Sequence, residues 1–460
     1  MKICNPGLPG LVVLACCAAA PGQAQSYKGI YVVAVPNVDG SKAAHAEASA
    51  YKKPFIDGLM IPLHWAYIEP VAPGNTLAPG AGLTNPYTGE VFCPHGTHKT
   101  NYCWQELDEQ LRLADPTKAL SLAVVAGGYT PAWLATDSAY AVATAGPVLY
   151  ASHNGTGSIC YTISLPLASS NAALANGAPS SFAGAYVAMI QALAAHLQQV
   201  GALSLVSMIK VSGGINNVTE EFHLDSATTS ASCLTSTTLL WSSLGYTPAA
   251  TQTAWTYMAQ GMAASFPGAL LSFDILENSF STTPLITDGG VVFTVAQYNA
   301  NPAAYGTLLL DRVLAALVPG GGAQGVLGPA PVAIQWNGLA PSDQQNLSTI
   351  ATHTLAAGAA GAVIGWQTNE LYAAQGSGCG TAACASATSM ATTCYGTATC
   401  AAEYASMLDN GITPVPGGTA HGSYVEVWPA DVVNACLQPA LVAGHNALTG
   451  ASLTLKSKCQ

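Results

Sequence analysis

ALSLAVVA (residues 119–126) is a short apolar run that ends at a glycine pair, Gly127 and Gly128. A run of this length without polar alternation is typical of a strand buried on both faces, as in parallel sheets. A helix-like segment follows it, and this strand-then-helix unit recurs eight times. The predicted strands, each with its following helix, are 27–36 with 41–53, 56–65 with 102–114, 119–126 with 180–199, 203–211 with 248–265, 269–276 with 302–317, 331–336 with 342–357, 361–366 with 399–408, and 423–428 with 430–442.

Eight alternations of a buried strand with an amphipathic helix predict an α/β fold, a single (β/α)8 TIM barrel. An open doubly wound sheet alternates in the same way, so periodicity alone does not separate the two. Loop lengths favour the barrel, because long insertions follow strands two, three, four and seven, whereas the returns from helix to strand are short. In a barrel these loops lie on the face at the C-terminal ends of the strands, where active sites are built.

The N-terminus carries the features of a secretory signal: Lys2, an apolar run over 11–20, and small residues before a cut near Gln25. We therefore expect a signal peptide at 1–24 and one barrel domain at 25–460, secreted and monomeric. An alternative is that VVLAC (12–16) is a lipoprotein box with a lipid anchor at Cys16. The apolar run is too short to span a bilayer, so we predict no membrane span.

The amino-acid composition limits the classes of molecule that the protein is expected to bind. The 460 residues are 50% hydrophobic and 8% charged, which excludes a disordered chain. The 12 Lys and Arg against 23 Asp and Glu form no basic cluster, so nucleic acid is not an expected partner. The scarcity of arginine also disfavours anionic sugars, which leaves neutral oligo- or polysaccharides. So few charges suggest adaptation to an acidic exterior.

Ten cysteines follow the signal segment, an even number that predicts five disulfides stapling the loops of a secreted protein. Proximity in sequence suggests the pairs Cys93–Cys103 and Cys436–Cys459. The segment from Cys93 to Cys103 also contains two histidines and could bind zinc. An oxidised staple explains the same residues, so neither a metal nor a cofactor is predicted.

Motifs of serine hydrolases, phosphate-binding loops, zinc proteases and dinucleotide-binding folds are absent, which leaves carboxylate chemistry. Glu69, Glu220, Glu221, Glu277 and Glu370 follow predicted strand ends. Because these ends converge on one rim, Glu221 and Glu370 could share a pocket and cleave a glycoside as a carboxyl pair. The structural alternative is that they are solvated loop charges or first-turn helix residues. Glu69 and Glu277 are expected to be structural.

Tryptophans stand at or just past the ends of five predicted strands. An indole offers a flat apolar face and one N–H donor, which suits a sugar ring. The alternative is that these rings cap the barrel as core aromatics. The five tryptophans expected to line sugar subsites are Trp65, Trp133, Trp336, Trp366 and Trp428. Polar groups expected at the same rim to bond hydroxyls include His64, Asn217, Asn337, Gln367 and Asn369.

The segments INNVTEEF (215–222) and GWQTNE (365–370) resemble those of the large clan of retaining (β/α)8-barrel glycoside hydrolases that includes cellulases, mannanases and β-galactosidases. The resemblance implies a strand-four glutamate as general acid/base and Glu370 after strand seven as nucleophile. The clan has Asn directly before its acid/base, whereas Val218 and Thr219 intervene here, so both Glu220 and Glu221 are candidates and Glu221 is preferred.

The same resemblance implies a function. We expect a secreted hydrolase of O-glycosidic bonds in a neutral glycan, acting with retention, in which Asn217 and Asn369 orient hydroxyls or a carboxylate. The alternative is a catalytically inactive barrel that binds glycans.

Overall fold

Eight parallel strands close into a barrel in the ring order one-eight-seven-six-five-four-three-two, which confirms the predicted (β/α)8 fold. A computed structural model of the chain describes residues 27–34, 48–76, 83–84, 91–92, 100–126, 129–140, 144–151, 158–164, 180–211, 248–276, 285–286, 292–293, 332–339, 363–368, 398–412 and 422–455. Strands one to eight are Gly29–Val33, Gly58–His64, Ala119–Val125, Val206–Lys210, Leu270–Leu276, Val332–Leu339, Val363–Thr368 and Gly422–Val427.

Strand three shows why these segments form the barrel. All seven of its residues are buried, and it pairs with strand two from Gly58–Ala119 to His64–Val125. One face fills the barrel interior and the other packs under the helices, so both faces are apolar. The ring closes where strand one pairs with strand eight, beginning at Gly29 and Tyr424.

Helices cover the outside of the barrel. The longest before strand four begins after Ser181, whose side chain accepts a hydrogen bond from the backbone N–H of Gly184 at 2.9 Å and so caps the helix. The α-helices are Trp65–Ile68, Gln105–Leu113, Trp133–Thr136, Phe182–Gln199, Pro248–Ser265, Ala398–Ile412, Pro429–Val433 and Gln438–Thr449. None of the described helices is long and apolar enough to cross a membrane.

Four of the eight predicted helices, 102–114, 180–199, 248–265 and 399–408, are confirmed within a few residues, and two predictions need correction. The start of predicted strand four, Leu203–Leu205, is a 3-10 turn. The predicted helix 430–442 is two helices, because the chain turns at Asn434, whose side chain accepts the backbone N–H of Cys436. The predicted helices 302–317 and 342–357 lie outside the described residues.

The long insertions contain strands that the sequence patterns did not predict. Thr144–Ala151 pairs antiparallel with Ser158–Ser164 in the insertion after strand three. Two shorter hairpins are Leu83–Thr84 with Val91–Phe92 and Leu285–Ile286 with Val292–Phe293. Cys103 and Cys436 are both disulfide-bonded, and the identity of their partners stays a prediction.

The barrel interior is filled in layers. Nearer the N-terminal ends of the strands, Tyr31 and Tyr424 meet edge to face at 6.0 Å and pack with small and aliphatic side chains of neighbouring strands. Gly365 lies against Tyr424, and a Cβ at this position would overlap the tyrosine ring. The two tyrosines therefore occupy space that the glycines of the strands leave free.

Candidate active site

The interior layer nearer the C-terminal ends of the strands is divided into two halves. On strands one to three it is apolar, formed by Val33, Met60 and Ala123, with the partly buried ring of Trp428 packed against them. On strands four to eight it is polar. The polar side chains are Lys210, Asp274, Gln335, Asn337, Gln367 and Glu426. This layer, called the barrel mouth below, has one apolar and one hydrogen-bonding side, and all of the side chains named in it are buried except that of Trp428, which is partly buried.

Lys210 is the centre of the polar half. Its ammonium donates to Asp274 Oδ2 at 2.6 Å and to Glu426 Oε2 at 2.9 Å, and all three side chains are fully buried. Strands four and eight have three strands between them on either side of the ring, so the pair of Lys210 and Glu426 spans the interior. A buried lysine requires such partners, because an unpaired charge is too costly in the interior.

Amide side chains extend this network to strands six and seven. Gln335 Nε2 and Gln367 Nε2 donate to the same oxygen of Glu426, Oε2, at 2.9 and 3.0 Å. Gln335 Nε2 also lies 2.7 Å from Asn337 Oδ1. Asp274 Oδ1 accepts from the Ser272 hydroxyl at 3.0 Å. One network therefore joins strands four to eight.

The charges of this network influence one another. Burial raises the pKa of Glu426, the charge of Lys210 acts against that rise, and Asp274 adds to it. For Lys210, burial alone would lower the pKa, but Asp274 and Glu426 outweigh it and hold the pKa above its ordinary value. Lys210 stays charged, and its single positive charge is paired with two acidic side chains, Asp274 and Glu426.

His64 marks the rim at the end of strand two, in phase with the interior residue Met60. Its ring packs on Tyr129 at 4.0 Å and on Tyr67 at 4.9 Å. Its Nδ1 lies 3.3 Å from Oε1 of Glu106, and 17% of the side chain is exposed. An aromatic cluster with a polar edge therefore borders the apolar half of the mouth.

Trp65 and Trp366 are placed differently from the prediction that they line sugar subsites. Trp65 has no exposed surface and packs edge to face on Phe182 and Tyr186, both at 5.2 Å. Trp366 lies over Gly422, in the layer between barrel and helices. Successive strand residues face opposite sides, so Trp366, next to the interior residue Gln367 on strand seven, faces outward, whereas Trp65 begins the helix Trp65–Ile68. They are core residues.

Of the remaining tryptophans, Trp428 packs against the apolar half, and its indole N–H donates to the backbone oxygen of Thr368 at 3.0 Å. Its role in a sugar subsite stays a prediction. Trp133 is 7% exposed and packs on Trp65 at 6.5 Å. Trp336 lies on strand six between Gln335 and Asn337, and its side chain is outside the described part of the structure.

Glu69, directly after helix Trp65–Ile68, is buried and hydrogen-bonded, as predicted for a structural residue. Its carboxylate accepts from Trp65 Nε1 at 2.9 Å and from Asn101 Nδ2 at 2.7 Å, and its backbone oxygen accepts from Trp133 Nε1. Burial raises the pKa of Glu69 to about 7, and its hydrogen bonds act in the opposite direction.

The predicted catalytic residues Glu220, Glu221 and Glu370, with Asn217 and Asn369, lie outside the described residues. The strand ends that precede them are described. Strand seven ends at Thr368, two residues before Glu370. Strand four ends at Lys210, ten residues before Glu220. Glu370 thus follows its strand directly, whereas the strand-four glutamates come after a longer connection.

The sequence patterns did not predict Lys210 or Glu426 as residues of the site. A signal for them was present, because polar residues alternate with apolar ones in SFD (272–274), IQWN (334–337) and YVEV (424–427). Alternation in strands predicted to be buried on both faces indicates that one face is polar. Among the described residues, no three His, Cys, Asp or Glu side chains are grouped so that they could hold a metal ion.

No family model matches the chain, and no curated protein sequence matches it. Several solved structures are similar to the chain. The catalytic domain of β-amylase from Paenibacillus polymyxa is 11% identical, with a TM-score of 0.47 over 87% of this chain and 92% of that one. A thermostable mutant of a xylanase from Cellvibrio japonicus is 12% identical, with a TM-score of 0.44 over 93% and 99%. The β-mannanase of the blue mussel Mytilus edulis is 12% identical, with a TM-score of 0.36 over 92% of each chain.

The barrel of this chain follows from its own strand pairing. Its reaction has to be inferred from its own residues.

Proposed function

We propose that the protein is a secreted glycoside hydrolase that cleaves O-glycosidic bonds of a neutral oligo- or polysaccharide with retention of configuration. The observation that carries the proposal is the divided barrel mouth, with Trp428 over an apolar half and a hydrogen-bonding network in the other half. Sugar rings combine apolar C–H faces with hydroxyls, so they need both kinds of surface.

The charges of the mouth support a neutral substrate. Lys210 is bound by Asp274 and Glu426, so its positive charge is already matched by two carboxylates. A uronate or a sulfated sugar would have to compete with these two acidic side chains for the charge of Lys210. A neutral glycan does not need a cation.

The proposed mechanism assigns one role to each glutamate. Glu221 protonates the glycosidic oxygen as the bond to the anomeric carbon breaks, while the Glu370 carboxylate attacks that carbon and forms a glycosyl-enzyme. Glu221, now ionised, then removes a proton from water, whose oxygen displaces Glu370 and restores the starting state. Glu370 is supported by its place two residues after strand seven, and Glu220 is the alternative acid/base.

The test uses single Glu→Gln variants of Glu220, Glu221 and Glu370, with Glu109→Gln as a matched control on the exposed face of helix Gln105–Leu113. Release of reducing ends is measured on xylan, mannan, cellulose and starch. We expect Glu370→Gln to abolish release, one of the other two variants to reduce it by about 10²–10⁴-fold, and the control to match the wild type. Unchanged turnover in Glu370→Gln would contradict the assignment, and an inverted product anomer would exclude retention.

A catalytically inactive, glycan-binding barrel is the second candidate. It is favoured by the nine residues between the end of strand four at Lys210 and Glu220, because the resemblance implies a glutamate that belongs to strand four. Binding of glycans by the wild type without release of reducing ends would support it.

Secretion is part of the proposal and has its own test. Mass spectrometry of the protein purified from its native host distinguishes a mature chain that begins near Gln25 from one lipidated at Cys16. An unprocessed N-terminus in the cytoplasm would contradict both forms of export.

A further inference from the structure

The two oxygens of the Glu426 carboxylate differ in their surroundings. Oε2 receives three N–H donors, from Lys210, Gln335 and Gln367. Oε1 is buried and has no hydrogen-bond partner among the described residues. An unsatisfied buried acceptor is costly, and more so when it is charged, so such oxygens in native proteins are nearly always paired with a donor.

Gln335 shows the same asymmetry. Its amide nitrogen donates to Glu426 and to Asn337, but its carbonyl oxygen, Oε1, accepts from no described group. Glu426 and Gln335 are joined by a 2.9 Å hydrogen bond, so their two unpartnered oxygens belong to one small region of the barrel interior. Two neighbouring acceptors are complementary to a molecule with two O–H donors.

This region belongs to the polar half of the barrel mouth, near the C-terminal ends of strands seven and eight. Gln367, which is bonded to Glu426, retains 7% of its surface exposed near the end of strand seven. Trp428 follows Glu426 by two residues, and its N–H is bonded to the end of the same strand, at Thr368. A sugar ring packed against Trp428 would therefore have its hydroxyls next to the polar half.

We propose that Glu426 is a ligand-binding residue, whose Oε1, together with the side-chain oxygen of Gln335, accepts hydrogen bonds from two hydroxyls of a bound neutral sugar. The inference rests on the proposed function for the class of ligand, and it extends the site to strands six and eight. It does not require turnover.

The test is isothermal titration calorimetry of the full mature chain carrying Glu370→Gln, with xylotetraose, mannotetraose, cellotetraose and maltotetraose as probes. Glu426→Gln is added to this parent, because a glutamine keeps one oxygen for Lys210 and replaces the other acceptor by an amide donor. Glu69→Gln is the matched control, a buried carboxyl whose two oxygens are both partnered. We expect at least a tenfold rise in Kd from Glu426→Gln and none from Glu69→Gln.

A second readout separates contact from general damage. The tetraose that binds is compared with its monodeoxy derivatives, and one derivative should lose affinity for the parent but lose no more for Glu426→Gln. If Glu426→Gln fails to fold, as judged by circular dichroism, Gln335→Met replaces it with the same expectation.

The outcomes are distinct. Equal Kd values for the parent and Glu426→Gln, or no binding of any tetraose at millimolar concentration, would overturn the inference. Glu426 Oε1 would then accept a hydrogen bond only from a buried water. Binding that depends on Glu426 in a protein that releases no reducing ends would support the inference and overturn the hydrolase function.

Discussion

The ammonium of Lys210, the last residue of strand four, lies 2.9 Å from Oε2 of Glu426 on strand eight, so one ion pair crosses the whole barrel interior. Because Gln335 and Gln367 bond to the same oxygen, this pair also ties strands six and seven to strand four. The polar half of the barrel is therefore a single connected unit.

Removing the cation should destabilise the protein strongly. Lys210→Met leaves Asp274 and Glu426 buried without their counter-charge, and we expect a loss of about 3–5 kcal/mol in the free energy of unfolding. Urea unfolding followed by circular dichroism measures the change. Arg112→Met, which breaks an exposed pair with Glu109, is the control and should have a far smaller effect. Equal losses in both variants would show that the buried network contributes no special stability.

The free energy of unfolding should fall as the pH rises from about 4.5 to about 7. Burial raises the pKa of Glu69 from 4.5 to about 7, so between these values the unfolded chain releases a proton that the folded chain keeps. The folded state is therefore favoured below pH 4.5 and loses on the order of 3 kcal/mol by about pH 7. Glu69→Gln should flatten this slope in urea unfolding between pH 4 and 8, whereas Glu109→Gln should leave it unchanged.

A second buried carboxyl should act in the same direction. Burial raises the pKa of Asp431 to about 8, with the hydroxyl of Tyr404 acting against the rise. Its ordinary pKa is 3.8, so stability should also decline between about pH 4 and 8 for this group, and Asp431→Asn should remove that part of the decline. The two carboxyls together fit an acidic working environment. A stability maximum near neutral pH in the wild type would contradict this.

Two tryptophans at neighbouring strand ends should respond differently to substitution. Trp428→Ala should weaken binding of a neutral tetraose by roughly tenfold, since it removes the aromatic surface at the mouth. Trp366→Ala should cost about 3–5 kcal/mol in stability, because its ring is buried between barrel and helices. Calorimetry and urea unfolding of both variants give the comparison. The reverse pattern would mean that Trp366 faces the barrel interior and Trp428 faces the helices.

Gly365 should tolerate no side chain. Gly365→Ala places a Cβ in the ring of Tyr424, and overpacking of this kind costs about 1–3 kcal/mol. The double variant with Tyr424→Leu should recover part of the loss, because it removes the atoms that the new methyl group meets. A single variant as stable as the wild type would show that the tyrosine ring moves freely inside the barrel.

Much of the fold could be predicted from local patterns. The helix 248–265 begins and ends where its apolar periodicity predicts, and all eight strands lie within a few residues of their apolar runs. The hairpin Thr144–Ala151 with Ser158–Ser164 could not, since it lies in a Gly- and Thr-rich insertion whose pattern was interpreted as a loop. Asn434 divides a predicted helix because its side chain competes for a backbone N–H, a local bond that periodicity does not reveal.

Local patterns along the chain were enough to specify the architecture, because apolar runs on both faces of eight strands can be satisfied only between a filled interior and a layer of helices. It also placed polar and aromatic residues at the strand ends, and so indicated a site on that face. Which of these residues share the mouth depends on how the elements pack in three dimensions. Trp366 turns into the core by the alternation of strand residues and Trp65 by its place at the start of a helix, while Lys210 and Glu426 meet across the barrel although they are far apart in the chain. Closing the ring brings opposite strands within hydrogen-bonding distance, and no spacing along the sequence encodes that contact.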